Sequence, residues 1–150
     1  ILMFSGFLIV VPFCYIKYGG ISFLKEQLPE QHLSLTGNLN GSSIVIWWLM
    51  GAWTLVDPGF HQRVRAAKST STARLGILIS VIFWMLFDFL TTSTALYAKT
   101  LFPDLKQPAF AYPLLGKELL PTGLYGLFIV SLVATILSTY NSFSFMPTLI

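Results

Sequence analysis

The sequence predicts an all-α, polytopic membrane protein. Three observations carry that prediction. Of 150 residues, 55% are hydrophobic and 10% are charged, against about 25% charge in ordinary soluble domains, which is too little charge to clothe a globular surface in water. Mean hydropathy is +0.73. The apolar residues gather into four runs near the roughly 20 residues that a spanning helix requires, separated by linkers rich in turn residues. The chain begins at Ile1 and ends within an apolar run at Ile150, which reads as an internal stretch of a longer protein.

The first expected helix covers residues 1–16 and stops at Lys17-Tyr-Gly-Gly. In the linker that follows, Leu24 and Leu28 beside Lys25 and Glu26 predict a short interfacial helix. The other spans are expected over residues 43–61, 75–97 and 124–146, the last running to Pro147. Cys14 is the single cysteine, so no internal disulfide forms, and His32 and His61 have no partner at metal-ligand spacing.

Charge placement predicts topology. Arg63, Arg65, Lys68 and Arg74 share a segment without an acid, which puts loop 62–74 in the cytoplasm. Loops 17–42 and 98–123 mix Lys with Glu and Asp, and are expected outside. The chain then starts inside, crosses four times and ends inside, in the cell membrane. Trp47, Trp48 and Tyr125 fall near the outer ends, as an aromatic belt does. The basic run is flanked by membrane-grade apolar segments rather than interleaved with exposed aromatics, so no nucleic-acid partner is expected. Lipid and a small solute are the expected partners, with no sign of an obligate protein partner.

The second span is interrupted. Its apolar run, Ile44 to Val56, has about 13 residues and spans roughly 20 Å of a ~30 Å hydrocarbon core. To cross, the span must continue through Asp57-Pro-Gly to Arg63. Pro58 lacks an N–H and disfavours helix at Val56, while Asp57 can cap a second half-helix with Pro58 at its first position. The prediction is a discontinuous helix, a feature found at transporter substrate sites. The alternative is a helix that ends at Val56 with an interfacial cap, and the short apolar run argues against it.

The fourth span carries a polar stripe. At 100° per residue, Ser131, Thr135, Ser138 and Ser142 share a narrow arc flanked by Thr139 and Asn141, and Leu132, Val133, Ile136, Tyr140 and Phe143 lie opposite. Hydroxyl and carbonyl oxygens are hard ligands that suit a cation such as Na⁺; the same residues also serve as packing contacts between helices. Asp88, near the middle of the third span, is a candidate for an intramembrane ion role, with Thr91 and Thr92 placed to bond it. Trp84 and Phe87 read as packing residues. No enzyme is indicated: Asp57 and Asp88 are the acids within the spans, and neither sits in a Gly-x-Gly-Asp motif.

The stretches "QRVRAAKSTSTARLG" and "LPTGLYGLFIVSLVATILSTYNSF" resemble the cytoplasmic loop and a later helix of the sodium:solute symporters, in the same order and at the same spacing. The resemblance covers essentially the whole chain and about a third of a full-length transporter. It implies a five-plus-five inverted-repeat fold of LeuT type, in which the four spans are core helices five to eight and the sixth is unwound at mid-membrane. It implies Na⁺ as coupling ion, held by the hydroxyls of Ser138 and Thr139 and the carbonyl of Thr135. Some members bind a second sodium at the positions of Asn141 and Ser142, where Asn141 departs from the usual hydroxyl residue. Solute is expected beside the break, at Trp53 and Asp57. A sugar-transporting member has an amide in place of Asp57 and a lysine in place of Trp84, so galactose-like specificity is not implied. The function expected is sodium-coupled symport of a small organic solute by alternating access. A proton-coupled transporter and a non-transporting membrane sensor of the same fold are the alternatives.

Overall fold

A computed structural model describes residues 1–145, and Met146 and Pro147, the expected end of the fourth span, lie outside them. The described residues are helical, without a strand: α1 (Leu2–Tyr18), α2 (Ile21–Gln27), α3 (Gly41–Gly51), α4 (Pro58–Arg65), α5 (Thr70–Leu101), α6 (Ala111–Leu119) and α7 (Thr122–Phe145). A 3-10 turn, Ala52–Leu55, extends α3. α5 and α7 are long and apolar enough to cross a membrane, and α1 with α2 forms a further apolar pair bent by 72°.

That bend has a local cause. Gly19 adopts φ 103°, a conformation that strains side-chain-bearing residues, and its carbonyl accepts a 2.6 Å bond from the Tyr97 hydroxyl of α5. The chain thereby leaves α1 and lays α2 down, with Leu24 of α2 and Leu28 just beyond it buried in the protein core.

The core is built around Phe7 of α1. Its ring meets those of Phe87 from α5, Tyr112 from α6 and Phe128 from α7 edge-on, with centroids 5.5–5.6 Å apart. Edge-to-face geometry places the positive ring edge on the negative face and adds to burial. Val10, Cys14, Leu90, Leu115 and Leu119 complete this centre. α1 and α7 run antiparallel, and Lys17 closes the end of the bundle on the Glu118 carbonyl at 3.0 Å. α3 and α4 contribute no buried residue to it.

Two glycines permit this closeness. A Cβ on Gly116 would lie 2.5 and 2.8 Å from the Phe128 ring, which is fully buried and cannot step aside. Gly116→Ala is therefore expected to destabilise the fold by up to about 2 kcal/mol, the roughly 1–3 kcal/mol usual for overpacking less about 1 kcal/mol gained by replacing a helical Gly, and a shift in thermal unfolding of the protein in detergent checks it. The other, Gly6, faces Ser131 of α7.

The structure corrects several boundaries. α5 begins at Thr70 rather than near residue 75, because Ser69 caps it by accepting the Thr72 amide at 3.2 Å. Hydropathy detects the apolar part of a helix and not its polar first turn. With 32 residues, α5 is about 48 Å long, more than a ~30 Å hydrocarbon core, so it must tilt or project. The span expected over 43–61 is broken where the sequence predicted, and its bounds are wider: α3 starts at Gly41 and α4 runs on to Arg65.

Candidate functional site

The break lies at Val56–Asp57. After α3 the backbone tightens into the 3-10 turn, Val56 and Asp57 both donate to the Trp53 carbonyl, at 3.0 and 3.1 Å, and α4 starts with Pro58. Asp57 is the N-cap: Oδ1 accepts the Phe60 amide at 3.1 Å. An unbroken helix would satisfy the Leu55 carbonyl with the amide of residue 59. Instead the His61 imidazole reaches back over the break and binds that carbonyl through Nε2 at 2.6 Å. The His61 bond thus satisfies one of the backbone groups that the break frees, as broken helices in lipid require.

His61 thus has a structural part in the break that its spacing in the sequence does not announce. Its bond spans six residues, a separation that faces it away from Leu55 in a continuous helix, so only the break makes it legible. His61→Ala should loosen α4, costing about 1 kcal/mol, and amide exchange of Phe60–Arg65 in the whole protein should accelerate about fivefold relative to the unaltered chain.

Trp53 projects from the 3-10 turn and is 68% exposed. Neither it nor Asp57 lines the cleft of about 560 Å³ beside the break, which instead lies between Thr54–Ala67 and the first half of α5, with walls that include Leu55, Phe60, Val64, Ile77 and Trp84. Trp84 packs edge-on against Phe60 at 5.6 Å and Phe87 against Phe4 and Phe7, as packing residues do.

On α7 the stripe divides by depth. Ser131 is fully buried against α1 and Thr135 is half-buried, while Ser138, Thr139, Asn141 and Ser142 are exposed where α7 passes the first turn of α1. The hydroxyls of Ser131, Thr135, Thr139 and Ser142 donate to carbonyls of their own helix, at 2.7, 2.9, 3.1 and 3.1 Å. Thr139 donates to Thr135, so these two oxygens, both in the expected ligand set, already lie 3.1 Å apart. Ser138 follows on the same exposed turn. The opposite face, with Val133, Ile136 and Tyr140, is exposed and apolar, suited to lipid.

Ser142 meets a different neighbour. Arg63 of α4 donates to its Oγ from Nη2 at 3.4 Å, a long bond that bridges the broken helix and the stripe. A guanidinium at that hydroxyl opposes a second cation there. Asp88 is exposed on α5, and Thr91 corrects an expectation: its hydroxyl bonds the backbone carbonyls of Phe87 and Asp88, at 3.0 and 3.1 Å, rather than the Asp88 carboxylate. Back-bonding to the preceding turn is the usual habit of a helical Thr. Among the described residues no three His, Cys, Asp or Glu side chains gather as a metal site.

A profile described as "Sodium:solute symporter family" matches residues 1–147. The chain belongs to the sodium:solute symporter family. Relatives agree with the assignment. The uncharacterized symporter YidK of Escherichia coli (strain K12) is 30% identical over 149 residues, covering 92% of this chain and 26% of its own length. The sodium/myo-inositol cotransporter 2 of Mus musculus is 28% identical over 187 residues, covering 95% of this chain and 27% of its own length. That of Oryctolagus cuniculus is 32% identical over 123 residues, covering 71% and 18%. The chain thus spans about a quarter of the length of the curated relatives it matches. No solved structure matches it. Membership explains an all-helical chain with apolar helices fit for a membrane, and it identifies a family of transporters rather than enzymes.

Proposed function

We propose that this symporter segment belongs to a sodium-coupled secondary transporter that carries a small organic solute across the cell membrane by alternating access. The observation that carries the proposal is the oxygen cluster on α7. The Thr135 carbonyl and the Thr139 hydroxyl are 3.1 Å apart, close enough for both to reach one hard cation, whose oxygen ligands in the case of Ca²⁺ lie about 2.3–2.6 Å away. The Ser138 hydroxyl is the third donor of the set. These three ligands are neutral, as suits a weakly held monovalent ion, and remaining ligands must come from elsewhere in the whole protein. One sodium is proposed, because Arg63 occupies Ser142.

In this reading α3 and α4 form one broken crossing, so the segment crosses four times, with 62–74 inside and 17–42 and 98–123 outside. Solute binds beside the break, against Trp53. Asp57 already has a structural task, and its carboxylate contributes to solute either through its second oxygen or by holding the break open. Two substitutions separate these roles, because Asn caps helices as well as Asp does. If Asp57 only caps, Asp57→Asn keeps transport near its original level while Asp57→Ala, costing about 1 kcal/mol of capping, lowers it severalfold. Loss of uptake in both variants, with α4 still protected from amide exchange in Asp57→Asn, assigns the charge to solute.

The test of the overall proposal is uptake by the whole protein in vesicles under an inward sodium gradient, with potassium replacement as control. Myo-inositol heads the solute panel because mammalian relatives bear its name. Sodium-dependent accumulation is expected. Uptake that instead follows a proton gradient without sodium, and disappears in Asp88→Asn, supports proton coupling through the exposed acid of α5.

A further inference from the structure

We infer that the cleft between α4 and the first half of α5 is a binding site for one anionic phospholipid. The inference rests on the membrane reading of the chain and not on sodium coupling. The cleft, about 560 Å³, has a mostly apolar wall, Leu55, Phe60, Val64, Ile77, Val81 and Trp84, and one formally charged lining side chain, Arg63. The polar groups that share the wall are engaged: Thr54 with the Gly51 carbonyl at 3.0 Å, His61 with the Leu55 carbonyl, Ser80 with the Gly76 carbonyl at 2.8 Å and Thr72 with Ser69 at 2.9 Å. Arg63 is thus the group able to take an anion there, and among the described residues its one side-chain hydrogen bond is the long one to Ser142.

Three more cations adjoin the cleft in sequence. Arg65 follows Val64, Lys68 follows Ala67 and Arg74 follows Ala73, each beside a lining residue. All three are exposed, and among the described residues none of the four cations forms a salt bridge. No acid lies between residues 58 and 87. The apolar wall continues onto Leu75, Leu78, Ile79 and Ile82, which α5 presents outward. A soluble anion uses the cations and leaves that wall wet. A peptide would need acidic and apolar residues at matching spacing. A phospholipid has both parts in one molecule: a phosphate for Arg63 and its neighbours, and an acyl chain for the cleft. Basic segments beside a span attract anionic lipid by about 1 kcal/mol per Lys or Arg, which is about fivefold in affinity for each cation.

The test is retention of lipid by the whole purified protein, read by native mass spectrometry after exchange into mixed phosphatidylcholine and phosphatidylglycerol. One phosphatidylglycerol should remain bound in preference to phosphatidylcholine. Arg63→Gln should weaken retention about fivefold and Arg63→Gln with Lys68→Gln about 25-fold. Arg63→Lys should retain most of it, and Lys25→Gln, on the opposite loop, all of it. A variant that fails to fold is recognised by its unfolding temperature, and Trp84 fluorescence quenching by a brominated acyl chain in the unaltered protein then decides: quenching by brominated phosphatidylglycerol and not by brominated phosphatidylcholine is expected, provided Trp84→Phe abolishes it. Equal retention of the two lipids, equal effects of Arg63→Gln and Lys25→Gln, or equal quenching overturns the inference. Because the readout is binding, it stands or falls separately from sodium-dependent uptake.

Discussion

Gly6→Val is expected to prevent α1 and α7 from packing and to deplete the folded protein. A Cβ at residue 6 would overlap Ser131 Oγ, and would sit 2.6 Å from Ser131 Cβ and 3.0 Å from Phe128. The hydroxyl can rotate away, but Ser131 Cβ is fixed to the backbone, so α7 itself has to retreat. Replacing a helical Gly by Ala favours the helix by about 1 kcal/mol, which opposes the clash. For Ala the net change is up to about 2 kcal/mol destabilising, since overpacking costs about 1–3 kcal/mol. For Val the added methyls meet the Phe7–Phe128 contact, the helix gain shrinks, and the loss exceeds about 3 kcal/mol, a large share of any protein's margin. Small residues where helices approach closely are the usual means of packing in lipid, where apolar side chains gain little by leaving the solvent. Ser131→Gly should restore much of the loss in Gly6→Ala, because it removes the atom that is struck. Thermal unfolding across that double-mutant cycle checks it; additive effects of the two substitutions would show that the helices do not meet there.

The second large effect concerns Ser138→Ala with Thr139→Ala. Each substitution removes one neutral oxygen from the proposed ion shell and leaves the helix apolar and well formed. Bonds to a charged group are worth about 1.5–3 kcal/mol, so each loss weakens sodium by about 10- to 150-fold. The pair should raise the sodium concentration for half-maximal uptake at least about 100-fold. Thr139→Ser restores the oxygen and should restore affinity. Stability should hardly move, because both side chains are exposed and only Thr139 bonds a carbonyl. Asn141→Ala should leave sodium affinity near its original value if one ion is bound.

The break was legible because length and chemistry agreed. Ile44 to Val56 is too short to span, and Asp57-Pro58 is a start signal for a new helix; the structure has Asp57 as cap and Pro58 at the first position. The stripe was legible in the same way, since helical periodicity alone aligns Ser131 and Thr135 on the face that turns inward. What escaped depends on which elements meet. Gly6 looks like any helical glycine until α7 lies against it. His61 looks like an unpartnered histidine at the end of a span until the break exposes a carbonyl within its reach. Arg63 and Ser142 are 79 residues apart and no pattern joins them. Asp88 and Thr91 were expected to pair by spacing, but the backbone carbonyls are closer partners for a helical hydroxyl. The cleft escaped because its walls come from α4 and α5, whose relative placement no local signal encodes.

Coupling of sodium to solute is open to test by linkage. If sodium at Thr135, Ser138 and Thr139 favours the state that binds solute, then sodium must raise solute affinity by the same factor that solute raises sodium affinity. The measurement is equilibrium solute binding to the purified whole protein, in sodium and in potassium, before and after Ser138→Ala with Thr139→Ala. At least tenfold tighter binding in sodium is expected for the unaltered protein, and no sodium effect in the double variant. Equal solute affinity in the two salts, or a sodium effect that survives the loss of both hydroxyls, would contradict it.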